Sequence, residues 1–213
     1  MKVVIVAGGP AEELPDFSLW ADDIWIGVDA GAVALIERGI EPTAAVGDFD
    51  SVSKEQFARI KSILPDFEAA SPDKDETDTE LALKKAMTFH PKTVIITGVT
   101  GGRLDHYMSA LHAIYAVHLK YPDTQFFLVN KQNRIRFLEP GSHEIQRAGL
   151  YRYISFYPFA EEIKGFSLSG FKYEVSGETI PFGSTWFISN ELEQLGIVSF
   201  IEGNCIMIES ADE

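Results

Sequence analysis

One change of period governs this chain. Up to about residue 129, short apolar runs alternate with stretches of helical spacing. The runs 2–6, 24–28, 43–46, 93–97 and 125–129 read as buried strands, with a weaker one near 66–70. Between them a helix over 32–38 stops at Gly39, a good C-terminal cap. Ser53-Lys54-Glu55-Gln56 and Thr77-Asp78-Thr79-Glu80 have capping-box spacing, so helices start there and run to about 63 and about 89. A longer helix covers about 104–120, where Leu104, Tyr107, Met108, Leu111, Ile114, Tyr115 and His118 recur at helical spacing. Beyond about 130 no helical period of useful length remains. The stretches 134–138, 142–146, 150–157, 165–175, 184–189, 195–201 and 204–209 are β-branched or aromatic and punctuated by Gly or Pro. Glu202-Gly203-Asn204 reads as a tight hairpin turn. The expected class is α/β, in two domains: a mostly parallel, Rossmann-like α/β domain over 1–130 and an antiparallel β-sandwich over 131–213.

Charge and cysteine content narrow the function. Eighteen Lys and Arg stand against 32 Asp and Glu, a net charge of −14. Such a chain has no general attraction for nucleic acid or an anionic membrane. A ligand carrying phosphates must be met by a metal ion or a few local cations, whereas the field favours a cationic substrate. No apolar run is long enough to span a bilayer, and the run after Lys2 is too short for a signal peptide's core. The single Cys205 excludes an intrachain disulfide and a cysteine-based zinc site, and it fits a reducing compartment; the expected location is cytoplasmic.

The chemistry gathers just after the strands, where ligands bind in parallel sheets. Asp48 and Asp50, in Gly47-Asp48-Phe49-Asp50-Ser51, lie two residues apart and project to one side of an extended backbone. Carboxylates that close need a proton or a cation between them, and the hard, oxygen-seeking Mg²⁺ suits them. Asp29 follows the second run, and Asp78 opens a helix, where an acid also suits the helix dipole. Gly98-Val99-Thr100-Gly101-Gly102-Arg103-Leu104-Asp105-His106 offers a loop with exposed backbone N–H groups, and Arg103 offers planar recognition of phosphate. Gly8-Gly9 permits a tight turn or close approach to a ligand, with no phosphate-loop signature following it.

The motifs around Asp48 and Asp50, then Asp75-x-Thr77-Asp78, the 98–106 loop and the late Ser189-Asn190 occur in an order that closely resembles the thiamine pyrophosphokinase (thiamin diphosphokinase) family, over essentially the whole chain. The resemblance implies an α/β catalytic domain that binds ATP and Mg²⁺, a thiamine-binding β-sandwich and a homodimer. It also implies transfer of the β,γ-pyrophosphoryl group of ATP to the thiamine hydroxyl, releasing AMP. By position, it makes Asp48, Asp50 and Asp78 the Mg²⁺ ligands and adds Asp29 and Asp105 to the catalytic acids. Lys74, Asp75, Thr77, Gly101, Gly102, Arg103 and His106 match the nucleotide site, with Lys74 where animal members have Gln. Ser189 and Asn190 match the thiamine segment, with Trp186 nearby.

Phosphoryl-type transfer needs charge neutralisation and in-line positioning more than covalent help, which these residue types supply. Either Asp29 or Asp105 could orient or deprotonate the thiamine hydroxyl. The ATP-handling acids lie on the first domain and the thiamine residues on the second, so a two-fold dimer could share its active sites between chains. Two other classes fit some of the same residues: a Mg²⁺-dependent phosphohydrolase, which leaves the β domain without a task, and a non-catalytic nucleotide and metal sensor, which needs fewer acids.

Overall fold

The structure is a computed structural model and describes residues 1–21, 23–64, 67, 75–149 and 151–212. The chain is mixed α/β and forms two compact units, Met1–Lys131 and Gln132–Glu213. Among the described residues, no helix is long and apolar enough to cross a membrane.

In the first unit β1 (Lys2–Val6), β2 (Ile24–Val28), β3 (Ala44–Val46), β4 (Thr93–Thr97) and β5 (Gln125–Val129) lie in the order β5-β4-β1-β2-β3. Every pairing along this order is parallel. Between them run α1 (Ala30–Glu37), α2 (Lys54–Ile63), α3 (Asp78–Met87) and α4 (Leu104–Lys120). Buried Val4, Val6, Ile95 and Val129 pack with Leu35 of α1 and with Leu14, Phe17 and Trp25. Phe17 lies on a short 3-10 turn, Phe17–Trp20, that the alternation of runs does not announce. A second cluster joins Ala32, Val33 and Ile36 of α1 to Ile60 of α2 and to Phe49. Both expected capping boxes form, on Ser53 with Gln56 and on Thr77 with Glu80.

The second unit holds β6 (Asn133–Leu138), β7 (Gly141–Ile145), β8 (Tyr153–Pro158), β9 (Ile163–Phe171), β10 (Val175–Ile180), β11 (Phe187–Phe200) and β12 (Cys205–Ser210). Their pairings are antiparallel, in the order β10-β9-β11-β8-β12-β6, with β7 on β11. One apolar core, including Ile154, Phe156, Phe166, Phe171, Val198, Phe200 and Met207, draws on strands throughout the unit.

Three expectations need correction in this unit. The expected strands 184–189 and 195–201 merge into one, β11, which begins only at Phe187, pairs with β8 through Phe187–Glu191 and with β7 and β9 further on, and leaves 184–186 outside it. The polar residues between them look like a break, but Glu191 is ion-paired with Arg152 and Lys172. The stretch 165–175 ends at Phe171, and a separate β10 follows whose face is mostly exposed. Polar edge strands carry no apolar run for a sequence reading to catch. Residues 201–204 do turn, with Gly203 at φ +93°, but β11 and β12 are not partners. Glu202 instead bridges Lys164 at the start of β9. The weak strand near 66–70 lies outside the described residues except Phe67.

Candidate active site

Strand order in the first unit reverses between β1 and β4, and crevices at such reversals, beyond the carboxyl ends of the strands, hold ligands. The rim has an acidic half, after β2 and β3, and a glycine-rich half, after β1, β4 and β5.

Asp29 organises the acidic half. It follows β2 directly with φ +47°, a conformation that an L-residue keeps only when its surroundings enforce it. Its N–H donates to Val46 O (3.0 Å), its C=O accepts from Ala32 N (3.0 Å), and its Oδ1 accepts from Phe49 N (3.1 Å). One residue thus bolts β2 to the loop after β3. Gly47 makes room for it, since a Cβ there would lie 1.9 Å from Asp29 Oδ1. In the same loop Phe49 turns inward, 5% exposed, with its ring 4.9 Å from that of Phe67 and 5.7 Å from that of Phe57. With Phe49 pinned inside, its neighbours stay towards the surface: Asp48 is half-buried and Asp50 exposed. Asp50 N donates to Asp48 Oδ1 at 3.1 Å. Asp78, half-buried, sits in the first turn of α3 behind the Thr77 cap.

The electrostatics bring these acids together. Burial pushes the Asp29 carboxyl up to about 6, against the Phe49 amide, and the charges of Asp78, Asp48 and Asp50 push the same way. Asp29 and the three carboxylates whose charges reach it, all hard oxygen donors, suit a divalent cation such as Mg²⁺. Among the described residues no three metal-binding side chains converge into a ready-made cage. Mg²⁺ does not need one, because it keeps waters and is bound through one or two carboxylates plus substrate phosphates.

The glycine-rich half is interlocked at the backbone. Ala7 N donates to Thr97 O (2.8 Å) and Gly9 N to Gly98 O (2.7 Å), so close that a Cβ on Gly9 would lie 2.5 Å from that oxygen. Beyond Gly98 the loop carries exposed Gly101 and Gly102 to Arg103, the N-cap of α4. Arg103 is engaged by Asp105, with Nε donating to Oδ1 (3.1 Å) and Nη2 to Oδ2 (2.5 Å). These bonds hold the Asp105 carboxyl down at about 2. The His106 N–H also donates to Asp105, and the His106 ring is exposed. Asp75 is exposed, the Thr77 hydroxyl is taken up by the cap of α3, and Lys74 lies outside the described residues.

In the second unit, Ser189 and Asn190 form a bulge and a clamp. The β8–β11 register shifts between Phe187 and Asn190, and Ser189 lies there with φ +56° and its N–H on Ser155 Oγ (2.9 Å). Bulges re-aim side chains, and the Ser189 side chain is exposed. Asn190 is only 1% exposed. Its Oδ1 accepts from Tyr173 N (3.1 Å) and Glu191 N (3.0 Å), and its Nδ2 donates to Tyr173 O (2.9 Å). The amide therefore fixes the turn that carries Tyr173, whose ring is 60% exposed. Trp186, 65% exposed, belongs to the surface and not to the core.

Sequence reasoning passed over Tyr173, Glu13 and Asn130. Glu13 and Asn130 meet at the glycine-rich half of the rim, and no local pattern in the sequence pairs residues so far apart.

Comparison with known proteins bears on both units. A family model described as thiamin pyrophosphokinase, catalytic domain, matches residues 18–128, and one described as its vitamin B1 binding domain matches 142–204. A thiamine pyrophosphokinase of Bacillus subtilis (strain 168) is 42% identical over 216 residues, covering all of both chains. The crystal structure of a Bacillus subtilis thiamine pyrophosphokinase superposes with a TM-score of 0.94 at 41% identity, again over all of both chains. The yeast thiamin pyrophosphokinase structure shares the fold at a TM-score of 0.80 and 13% identity, over 98% of this chain and 86% of its own.

Proposed function

The chain belongs to the thiamine pyrophosphokinase family, and on that premise we propose that it transfers the β,γ-pyrophosphoryl group of ATP to the hydroxyl of thiamine, giving thiamine diphosphate and AMP. The observation that carries the reading is the gathering of Asp29, Asp48, Asp50 and Asp78 at one end of a parallel sheet, on the rim that also bears the 98–103 loop. In this reading Met1–Lys131 is a Rossmann-like catalytic domain and Gln132–Glu213 a thiamine-binding β-sandwich.

Asp48, Asp50 and Asp78 hold Mg²⁺, which when bound neutralises charge on the phosphates. Backbone N–H groups of the 98–102 loop and the Arg103 guanidinium bind the polyphosphate, with Lys74, Asp75, Thr77 and His106 flanking the nucleotide. Of the two acids open for the thiamine hydroxyl, Asp29 is the stronger candidate. A carboxyl lifted to about 6 takes a proton near neutral pH far better than Asp105, which Arg103 holds at about 2. Asp105 serves to orient Arg103. Thiamine is a cation and suits exposed aromatic faces, so Tyr173 and Trp186 are its stacking candidates. Ser189 meets it directly, and Asn190 acts by holding the Tyr173 turn. A cytoplasmic homodimer, with one chain's acids facing its partner's thiamine residues, completes the proposal.

The test is turnover with and without thiamine, in the unmodified chain and in Asp48→Asn and Asp50→Asn. ATP consumption strictly dependent on thiamine, lost in both variants while their melting temperature in chelator holds or rises, is the expected result. Thiamine-independent ATP hydrolysis would favour a phosphohydrolase. Nucleotide binding without turnover would favour a sensor. Near-normal turnover of either variant at low Mg²⁺ would remove that residue from the metal site.

A further inference from the structure

A buried polar junction at the glycine-rich loop has no task in the proposed mechanism. Asn130, 6% exposed, follows β5. Its Nδ2 donates to Glu13 Oε2 (3.0 Å) and to Thr100 Oγ1 (3.1 Å). Glu13 is fixed in turn: its N–H donates to Pro10 O (3.1 Å) and its C=O accepts from Lys131 N (2.9 Å). Gly101 stands against the Glu13 side chain with φ +79°, and a Cβ there would lie 2.5 Å from Glu13 Cγ. The segment after β1, the loop after β4 and the residue after β5 therefore meet at one carboxylate and one amide. Gly9 N on Gly98 O ties the base of the same loop at 2.7 Å, so Glu13 and Asn130 hold its far part, at Thr100 and Gly101.

We propose that Glu13, through Asn130, is a positioning residue that sets the conformation of Thr100-Gly101-Gly102 for the polyphosphate of the nucleotide. This rests on the reading of 98–103 as the nucleotide loop. A loop with two glycines and exposed backbone has many conformations of similar energy, and presenting its N–H groups to phosphate requires ordering it. A hydrogen-bonded junction made in advance bears that ordering before the ligand arrives, which favours binding. The carboxylate strengthens the bond from the Asn130 amide, while a neutral amide of the same shape can still accept it.

The experiment is steady-state kinetics with ATP and thiamine varied separately, on the full chain. Losing one such hydrogen bond corresponds to roughly tenfold, so Glu13→Ala should raise KM for ATP about tenfold and leave KM for thiamine unchanged. Asn130→Ala should do the same, and the double variant should be no worse than either single one, because both remove one junction. Glu13→Gln should recover KM for ATP to within about twofold of the unmodified chain. Thr100→Val removes only the hydroxyl that Asn130 reaches, and it carries the expectation if Glu13→Ala fails to fold. Arg103→Ala separates the two readings. If Arg103→Ala leaves KM for ATP unchanged, the loop is not the nucleotide site and the proposal falls with that reading. If Arg103→Ala raises it while Glu13→Ala and Thr100→Val do not, the nucleotide reading stands and the positioning role of Glu13 is overturned. Equal rises in KM for both substrates, or additive effects of Glu13→Ala and Asn130→Ala, would also overturn it.

Discussion

Asp29 concentrates the energetic conflict of the site in one side chain. It is strained in its backbone, fixed by three hydrogen bonds, and lifted to about 6 by burial and by its acidic neighbours. A carboxyl whose pKa is raised on folding contributes stability fully below its unfolded value near 3.8, and that contribution is lost as pH rises through about 6. In chelator, Asp29→Asn should therefore change the melting temperature little at about pH 4 and raise it, relative to the unmodified chain, at about pH 7.5. A gap that stays constant across this window would mean that the Asp29 charge is not what burial opposes. Turnover should be lost at either pH. At this scale the sequence was informative where spacing carried the chemistry: Gly47 to Asp50 points to paired carboxylates without any structure. It was silent on which aspartate is lifted and which is lowered, because burial and the Arg103 pairing depend on the fold.

At the scale of elements, the candidate residues of each unit sit on segments pinned by inward side chains. Phe49 anchors the acidic loop, the Thr77 cap starts α3 so that Asp78 rides its first turn, and Asn190 anchors the Tyr173 turn. Asn190→Ala leaves the Tyr173 N–H and C=O without the side-chain partner they have now, which costs about 1–3 kcal/mol. Thermal unfolding should show that loss, and KM for thiamine should rise while KM for ATP holds. Unaltered stability would contradict the clamp. The elements of the first unit were legible because buried parallel strands are apolar runs and amphipathic helices keep their period. β1, β2, β4, α4 and β5 begin and end where the sequence places them. The second unit was legible only as a set of strands. Its β10 edge is polar, β11 runs through a polar stretch, and the turn at Gly203 links strands that are not neighbours. Pairing between distant strands is set by packing, which no local pattern encodes.

At the scale of the molecule, the acidic residues of the rim and the Ser189 segment lie in separate compact units. The proposed dimer shares its sites between chains, and mixed dimers test this. Asp50→Asn chains refolded together with chains carrying an inactivating change at Ser189 would give half mixed dimers, each with one intact site. Activity should then return to roughly a quarter of the unmodified level. A mixture of folded dimers that stays inactive would place each site within one chain. The net charge of −14 agrees with a cationic acceptor and leaves the phosphates of the other substrate to local groups. Attack at the β-phosphorus moves a two-phosphorus group, and the identity of the products records it. Phosphorus NMR of a reaction with ATP, thiamine and Mg²⁺ should show AMP and thiamine diphosphate appearing in equal amounts, with nothing formed when thiamine is left out. ADP with thiamine monophosphate would mean attack at the γ-phosphorus and would rule out pyrophosphoryl transfer.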